Sequence, residues 1–240
     1  MRMNVFVIPD IHLKPWIVEK ASKLIEDGCY EKIVMLGDFV DDWYQQRNLE
    51  LYSETLAAIT RFLKRYGDDV YICLGNHDIS YIWEAHETGY STYARDMVVY
   101  GLNEMMEFLP AENTAYIHRI ENILFSHAGL TEAFVKRVFG RGPKLELDDM
   151  ISRINSLPKD YIWSDDSPIW ARPQYGEMRM YPVNMMQVVG HTPVEAPLEE
   201  QGGKLLTLDT FSTFPDGRAI GDQMFVWVDS VTEKWRYCNV

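Results

Sequence analysis

The sequence has few cysteines and no long apolar run. Cys29, Cys73 and Cys238 are odd in number and widely spaced, unlike the cysteine framework of a small secreted protein. We interpret them as buried thiols in a reducing compartment. The first apolar run, residues 5–8, ends at Pro9 and is too short for a signal sequence or a membrane span. A cytoplasmic location with no membrane attachment is therefore the default expectation.

Basic residues are also scarce. Lys and Arg total 23 against 36 for Asp and Glu, a net charge of −13, which argues against an extended nucleic-acid surface and leaves room only for a local basic pocket. The hydrophobic content of 47% and charged content of 25% are typical of a globular protein. No low-complexity linker or internal repeat interrupts the 240 residues, so we expect a single domain over residues 1–240.

What the chain does contain is a series of short apolar segments, each followed at once by polar residues. Such segments are typical of buried strands, and the loops at the carboxyl ends of strands in helix-covered sheets commonly carry chemistry. The polar residues include carboxylate, amide and imidazole groups that can bind metals. In chain order these loops are Asp10-Ile11-His12, Gly37-Asp38, Gly75-Asn76-His77-Asp78, Ser126-His127 and Gly190-His191.

The segments between these loops predict an α/β fold. A helix is expected over residues 15–27, stopped by Gly28, and a second one through Leu51 to Tyr66. Strands alternating with helices predict parallel neighbours. Later in the chain we expect a hairpin over 115–125, a helix over 131–139 and another that Asp148 caps. Strands at 204–208 and 224–228 have no helix between them. This pattern predicts a more antiparallel second half, which could form a second sheet.

Residues 79–110 are rich in aromatic side chains and predict a helical excursion. Its rings could wall a substrate pocket, or they could pack the excursion onto the core, which is the commoner role of aromatic residues. The rings are Tyr81, Trp83, His86, Tyr90, Tyr93 and Tyr100.

Each polar loop alone is a weak signal, but their order across residues 10–193 is specific. Together with Asp41, Ala128-Gly129 and Thr192-Pro193, the set resembles the calcineurin-like metallophosphoesterases. It is most similar to the branch that contains the serine/threonine protein phosphatases and the bacterial diadenosine tetraphosphate hydrolases. The resemblance implies a four-layer α/β/β/α sandwich of two mixed sheets flanked by helices.

The resemblance also implies two metal ions bridged by Asp38. Asp10, His12 and Asp38 would hold one ion, and Asp38, Asn76, His127 and His191 the other. These ligands suit manganese first, or iron or zinc, and are unlike a thiolate site. Two such cations can orient a phosphoryl group and lower the pKa of an attacking water.

Substrate roles follow from the same resemblance. His77 would protonate the leaving group, oriented by Asp41. Asn76 would also contact the substrate. Ile162-Trp163-Ser164-Asp165 resembles a further family segment, and Arg172, shortly after it, could hold the substrate phosphate, because a guanidinium suits that task. The alternative for Arg172 is a surface ion pair with Asp165 or Asp166. Asp209-Thr210-Phe211 matches a closing strand and turn that we interpret as structural.

Some positions depart from the family pattern. Asp42 stands where the protein phosphatases carry a phosphate-binding arginine, and an acid there would repel phosphate unless it pointed away. Arg47 could replace that arginine, although a solvated side chain is the simpler expectation. Asp78 stands in place of a glutamate.

Three functions are compatible with these residues. The first is a dinuclear-metal phosphatase that hydrolyses phosphate monoesters, on a phosphorylated protein or a small molecule, by attack of metal-activated water. The second is a dinucleoside polyphosphate hydrolase or phosphodiesterase, with the aromatic segment stacking a base. The third is an inactive binding module, which the intact ligand set argues against. A DNA phosphodiesterase is disfavoured by Pro193 and by the net charge of −13.

Overall fold

Eleven strands and seven α-helices make up the part of the chain that the structure describes, residues 3–26, 28, 30–176 and 178–238 of a computed structural model. The elements are β1 (Asn4–Ile8), α1 (Pro15–Leu24), β2 (Lys32–Met35), α2 (Leu49–Tyr66), β3 (Val70–Cys73), α3 (Asn76–Ile82), α4 (Arg95–Met106), β4 (Thr114–Ala115), β5 (Ile117–Ile120), β6 (Ile123–Ser126), α5 (Glu132–Phe139), α6 (Leu147–Asn155), α7 (Lys159–Ile162), β7 (Met186–Val189), β8 (Leu198–Glu200), β9 (Leu205–Thr207), β10 (Val226–Asp229) and β11 (Lys234–Tyr237).

The strands form two mixed sheets. The first has the order β11-β10-β1-β2-β3-β4, in which β1 to β4 are parallel and β10 and β11 are antiparallel additions. The second has the order β5-β6-β7-β9-β8, with β6, β7 and β9 parallel and an antiparallel strand at each edge. The expectation of two mixed sheets is confirmed.

Alternation of side chains along β1 explains the layering. Phe6 and Ile8 face a core formed with α1, α2 and α4, whereas Val5 and Val7 face the second sheet. On the far side of that sheet, Leu124 packs against α5 and α6. The result is helix, sheet, sheet, helix, which confirms the predicted four-layer sandwich.

The second half of the chain is less antiparallel than predicted. Three strands of the second sheet run parallel, and β10, predicted at 224–228, joins the first sheet beside β1. The predicted hairpin is confirmed as β5 and β6. Apolar patterning identifies a strand but does not choose its partner, which explains the error. Because the end of the chain returns to the first sheet, we propose that residues 1–240 form one domain.

Two helix boundaries also differ from the prediction. The first helix ends at Leu24, since Ile25 has already left helical geometry and Gly28 turns the chain at φ 68°; Asp27 and Cys29 lie outside the described residues. Asp148 does not cap α6. That helix starts at Leu147 after Glu146, so Asp148 lies in its first turn, 2.8 Å from Arg119.

The aromatic excursion contains α3 and α4. Among the helices described, none is long and apolar enough to cross a membrane.

Candidate metal centre and active site

The five polar loops meet at one edge of the two sheets, because they follow β1, β2, β3, β6 and β7 at their carboxyl ends. Most of their functional side chains are buried, and His12 and His77 remain partly exposed, at 19% and 17% of the side chain. The buried ones are Asp10, Asp38, Asn76, His127 and His191.

Asp38 lies at the centre of this group. Its Oδ2 is 3.7 Å from Nε2 of His12 and 3.2 Å from Nε2 of His127. It therefore belongs to two compact sets of potential ligand atoms, one with His12 and His77 and the other with His127 and His191, each set lying within 4.8 Å. One carboxylate shared by two sets is the geometry that a bridging ligand requires.

Backbone carbonyl groups fix two of the imidazole rings. Nδ1 of His12 lies 2.9 Å from the carbonyl oxygen of Asp41, and Nδ1 of His127 lies 2.7 Å from that of Leu36. A carbonyl oxygen only accepts, so each Nδ1 carries a proton, and each Nε2 faces Asp38 as the ring atom that is placed to bind a metal. Metal-binding histidines are commonly oriented in this way.

In the second set, potential ligand atoms of three side chains lie close enough together to bind one cation. Nε2 of His127 lies 3.0 Å from both Oδ1 of Asn76 and Nδ1 of His191. Nε2 of His191 is buried without a hydrogen-bond partner in the described structure. Burial and the adjacent His127 hold the pKa of His191 well below its usual value, so this ring is neutral and can bind a metal.

Asp10 lies beside the first set. Its carboxylate is 3.9 Å from Nε2 of His12 and accepts the backbone N–H of His191 at 3.0 and 3.2 Å. Burial, followed by the nearby carboxylate of Asp209, raises the pKa of Asp10 well above its usual value. For Asp38, burial opposes ionisation, but His127 and His77 outweigh it and hold its pKa well below the usual range.

No Lys or Arg side chain of the described residues pairs with Asp10 or Asp38. Buried carboxylates need a compensating charge, and the neighbouring donors are oxygen and imidazole nitrogen atoms that borderline metals prefer. The residues present therefore fit the metal ions that the family resemblance implies. The structure groups His77, rather than Asp10, with His12 and Asp38.

The ring of His77 is held by Asp41, whose Oδ2 lies 3.1 Å from Nδ1 of the imidazole. Its backbone N–H donates to Oδ1 of Asp38 at 3.0 Å. Burial disfavours the charged ring, but Asp38 and Asp41 outweigh it and raise the pKa of His77 to about 9. Protonated His77 with Nδ1 engaged has a proton on Nε2 to donate.

Backbone conformation contributes to the site. His12, Asp38, Asp41 and His191 all have left-handed φ angles, between 43° and 66°. Each costs about 1–2 kcal/mol in a residue other than glycine, and such costs concentrate at functional sites. The strain supports the assignment of these loops as functional.

Asp78 has a role that sequence analysis missed. It is fully buried and accepts hydrogen bonds from the backbone N–H groups of Asp38, Phe39 and Gly75, at 2.8, 2.9 and 3.0 Å. It thereby ties the loop after β2 to the loop after β3. Burial, with a contribution from Asp38, raises its pKa to about 7.

The charge at Asp42 is compensated locally. Its Oδ2 lies 3.0 Å from Nζ of Lys14, which also donates to the carbonyl oxygen of His12 at 3.1 Å. Arg47 does not replace the missing arginine, because it binds the hydroxyl of Tyr93 at 2.8 Å and does not line the cavity. This pairing could not be predicted from the sequence, because Lys14 and Asp42 are 28 residues apart in the chain.

Arg172 lies at the cavity wall and not in a surface ion pair. Its Nη1 donates to the carbonyl oxygen of His191 at 3.1 Å, whereas Asp166 pairs with Arg137 at 2.7 Å and Asp165 is exposed. Among the described residues no carboxylate pairs with Arg172. It therefore keeps donors for an anion.

A cavity of about 470 Å³ opens over the site. The residues that line it include His12, Asp38, Asn76, His77 and His191. Asp209, for which the sequence suggested a structural role, also lines it. Asp209 is buried and accepts from the hydroxyl of Ser212 at 2.9 Å. The remaining wall contains two exposed aromatic residues, Trp43 and Tyr44, that sequence analysis did not single out.

The rings of the aromatic excursion do not line this cavity, whereas its residues Glu87, Thr88 and Gly89 do. Tyr81 is fully buried, and Tyr90 stacks on it with ring centres 4.3 Å apart. Outside the excursion, Trp170 lines the cavity, and its ring contacts the rings of Trp163 and His191. Of the two roles considered for the rings of the excursion, Tyr81 and Tyr90 therefore pack against the core and do not wall the cavity.

Comparisons with solved structures agree with the fold. A cold-active protein-tyrosine phosphatase of a psychrophilic Shewanella species superposes with a TM-score of 0.60 at 17% identity, covering 99% of this chain and 80% of that one. A protein serine/threonine phosphatase from Saccharomyces cerevisiae gives 0.51 at 15% identity, covering 95% and 73%.

Sequence comparison adds a curated relative, a symmetrical bis(5'-nucleosyl)-tetraphosphatase from an Enterobacter species (strain 638), 26% identical over 141 residues. The match covers 54% of this chain and only 44% of that relative's length. Over a longer span, residues 3–214 match the sequence model of the calcineurin-like phosphoesterase family. The chain therefore belongs to this family, whose enzymes are hydrolases acting on phosphoester bonds.

Proposed function

We propose that this protein is a dinuclear-metal phosphatase that hydrolyses phosphate monoesters, carried by a phosphorylated protein or a small molecule. The observation that carries the proposal is the position of Asp38, shared by two sets of ligand atoms. Asp10, His12 and Asp38 would hold one ion, and Asp38, Asn76, His127 and His191 the other. When bound, two cations, manganese first or iron or zinc, supply charge for the phosphoryl oxygens and lower the pKa of a water.

The chain's own groups would perform the remaining steps. Arg172 and Asn76 bind and orient the phosphoryl group at the cavity wall. Water attacks phosphorus in line with the ester oxygen, and the bond between phosphorus and that oxygen breaks. His77 gives its Nε2 proton to the departing oxygen, while Asp41 holds Nδ1 at 3.1 Å. The products are an alcohol and inorganic phosphate.

A second candidate is hydrolysis of a dinucleoside polyphosphate or a phosphodiester. It is favoured by the rings of Trp43 and Tyr44, which are 47% and 77% exposed and line the cavity. Nε1 of Trp43 donates to the carbonyl oxygen of Thr213 at 2.8 Å, which fixes this ring where a base could stack. The curated relative named as a tetraphosphatase points the same way.

The test is the initial rate on p-nitrophenyl phosphate, its bis-ester, a phosphopeptide and diadenosine tetraphosphate, after metal stripping and readdition of manganese. Asp38→Asn should abolish turnover. His77→Asn should reduce it most on the substrate with the poorest leaving group and least on the p-nitrophenyl esters, because p-nitrophenolate departs without a proton. His86→Asn, an exposed histidine outside the cavity, should change none of the rates. The preferred substrate chooses between the two candidates. Binding of metal with no turnover of any substrate would contradict both.

A reducing, cytoplasmic location belongs to the same proposal, because Cys73 and Cys238 are buried free thiols.

A further inference from the structure

Two tyrosine hydroxyls converge on one oxygen of Asp41. Tyr52, on α2, donates to Oδ1 at 2.6 Å, and Tyr81, on α3, donates to the same atom at 2.5 Å. The other carboxylate oxygen faces Nδ1 of His77 at 3.1 Å. All three partners of this buried carboxylate are thus donors, one from α2 and two from α3.

We propose that Tyr52 and Tyr81 are positioning residues for leaving-group protonation. By fixing Oδ1 of Asp41, they hold Oδ2 on Nδ1 of His77 and leave Nε2, with its proton, facing the substrate. This inference rests on the proposed function, in which His77 is the general acid.

The geometry gives the two hydroxyls a task beyond filling the core. Asp41 is 1% exposed and pairs with no Lys or Arg side chain of the described residues, so it depends on His77 and on the two tyrosine hydroxyls for its partners. Hydroxyl donors to a carboxylate at 2.5–2.7 Å are among the strong hydrogen bonds of proteins. The two short hydrogen bonds therefore fix which oxygen of Asp41 faces Nδ1 of His77.

The same contacts explain the helical excursion. The backbone N–H of Ser91 donates to the hydroxyl of Tyr81 at 2.8 Å, and its Oγ donates to the carbonyl oxygen of Gln46 at 2.5 Å. Gly89 lies so close to the acid pair that an added Cβ would meet Cβ of Asp41 at 3.3 Å and Cε1 of His77 at 3.7 Å. The excursion therefore supports the acid pair directly.

The experiment compares Tyr52→Phe, Tyr81→Phe and the double variant, all loaded with manganese, on an alkyl phosphate and on p-nitrophenyl phosphate. Protonation matters for the alkoxide leaving group and little for p-nitrophenolate. Each single variant should lower kcat on the alkyl phosphate about tenfold with KM unchanged, and should change kcat on p-nitrophenyl phosphate less than about twofold. Tyr66→Phe, which removes another buried hydroxyl from α2, 3.4 Å from Ser22, is the matched control.

A second arm repeats the tyrosine substitutions in a His77→Asn background. There the substitutions should have no further effect, because they act through His77. An equal loss on both substrates, or a loss that persists without His77, would overturn the inference while leaving the phosphatase assignment intact. No turnover by the wild type on any ester would instead overturn the proposed function and this inference with it.

Melting temperature and manganese content should match the Tyr66→Phe control in each single variant. If one of the two fails to fold, the other decides, because both hydroxyls bind the same oxygen.

Discussion

The backbone carbonyl oxygen of Asp41 accepts a hydrogen bond from Nδ1 of His12 at 2.9 Å. Its carboxylate meanwhile binds His77, so one residue orients a candidate metal ligand and the candidate general acid. The left-handed backbone of Asp41, at φ 66°, permits both contacts. This coupling implies that substitutions of its side chain and distortions of its backbone will have different consequences.

Asp41→Asn removes charge but keeps the backbone contact with His12. Burial lowers the pKa of His77, but Asp38 and Asp41 outweigh this effect and raise the pKa to about 9. Loss of the Asp41 charge should therefore lower the pKa of His77. A general acid works in its protonated form, and activity falls as pH rises through its pKa. The basic limb of kcat against pH on an alkyl phosphate should therefore move to lower pH, with metal content unchanged. If the basic limb does not move, a group other than His77 is responsible for it.

Metal affinity should increase with pH. Burial disfavours the charged ring of His127, but Asp38 and Asp10 raise its pKa to about 9, so below that pH a proton must leave before the ring can bind metal. Between pH 6 and 8 we expect the apparent affinity of the His127 set to rise by up to about tenfold per pH unit, with proton release. Calorimetry in buffers of different ionisation enthalpy measures both, and a pH-independent affinity would contradict the assignment.

Asp78→Ala should destabilise the protein markedly. The substitution leaves three buried backbone N–H groups without their acceptor, and we expect a loss of about 2–4 kcal/mol in the free energy of unfolding. Asp148→Ala, which removes an exposed ion pair with Arg119, should cost under about 1 kcal/mol. Urea denaturation of the two variants gives the comparison. Equal values would mean that the loops after β2 and β3 do not depend on Asp78.

Gly190→Ala tests the contact between the loop after β7 and Asp10. A Cβ at this position would lie 2.0 Å from Oδ1 of Asp10, so the carboxylate must move. We expect loss of one metal ion per chain, or a drop of at least about tenfold in its affinity. Gly176→Ala, where nothing lies within 4 Å of the added Cβ, is the control. Unchanged metal content in Gly190→Ala would place Asp10 outside the metal centre.

The α/β class and the five polar loops were predictable because each loop follows an apolar strand, and periodicity is a local signal. The four-layer sandwich was expected only from the resemblance to the family. Strand pairing was not, as the placement of β10 beside β1 shows. Nothing in the sequence spacing distinguishes a strand that returns to the first sheet from one that extends the second.

Within the site, residues in the motifs were found and residues that support them were missed. Asp78 was noticed only as a substitution for glutamate, yet it binds the backbone of two loops. Tyr52 was assigned to neither core nor site, although its hydroxyl reaches Asp41 from α2. Such contacts depend on the packing of distant elements, which single-sequence patterns do not encode.

The central claim is a dinuclear centre bridged by Asp38, and metal stoichiometry tests it most directly. Plasma emission spectrometry and manganese titration of the stripped protein should give two ions per chain, and Asp38→Asn should weaken both sites while its melting temperature stays near that of the apo wild type. Asp42→Asn, the matched control, removes a carboxylate of the same loop that pairs with Lys14, and it should retain two ions. One ion per chain, or full binding by Asp38→Asn, would contradict the claim.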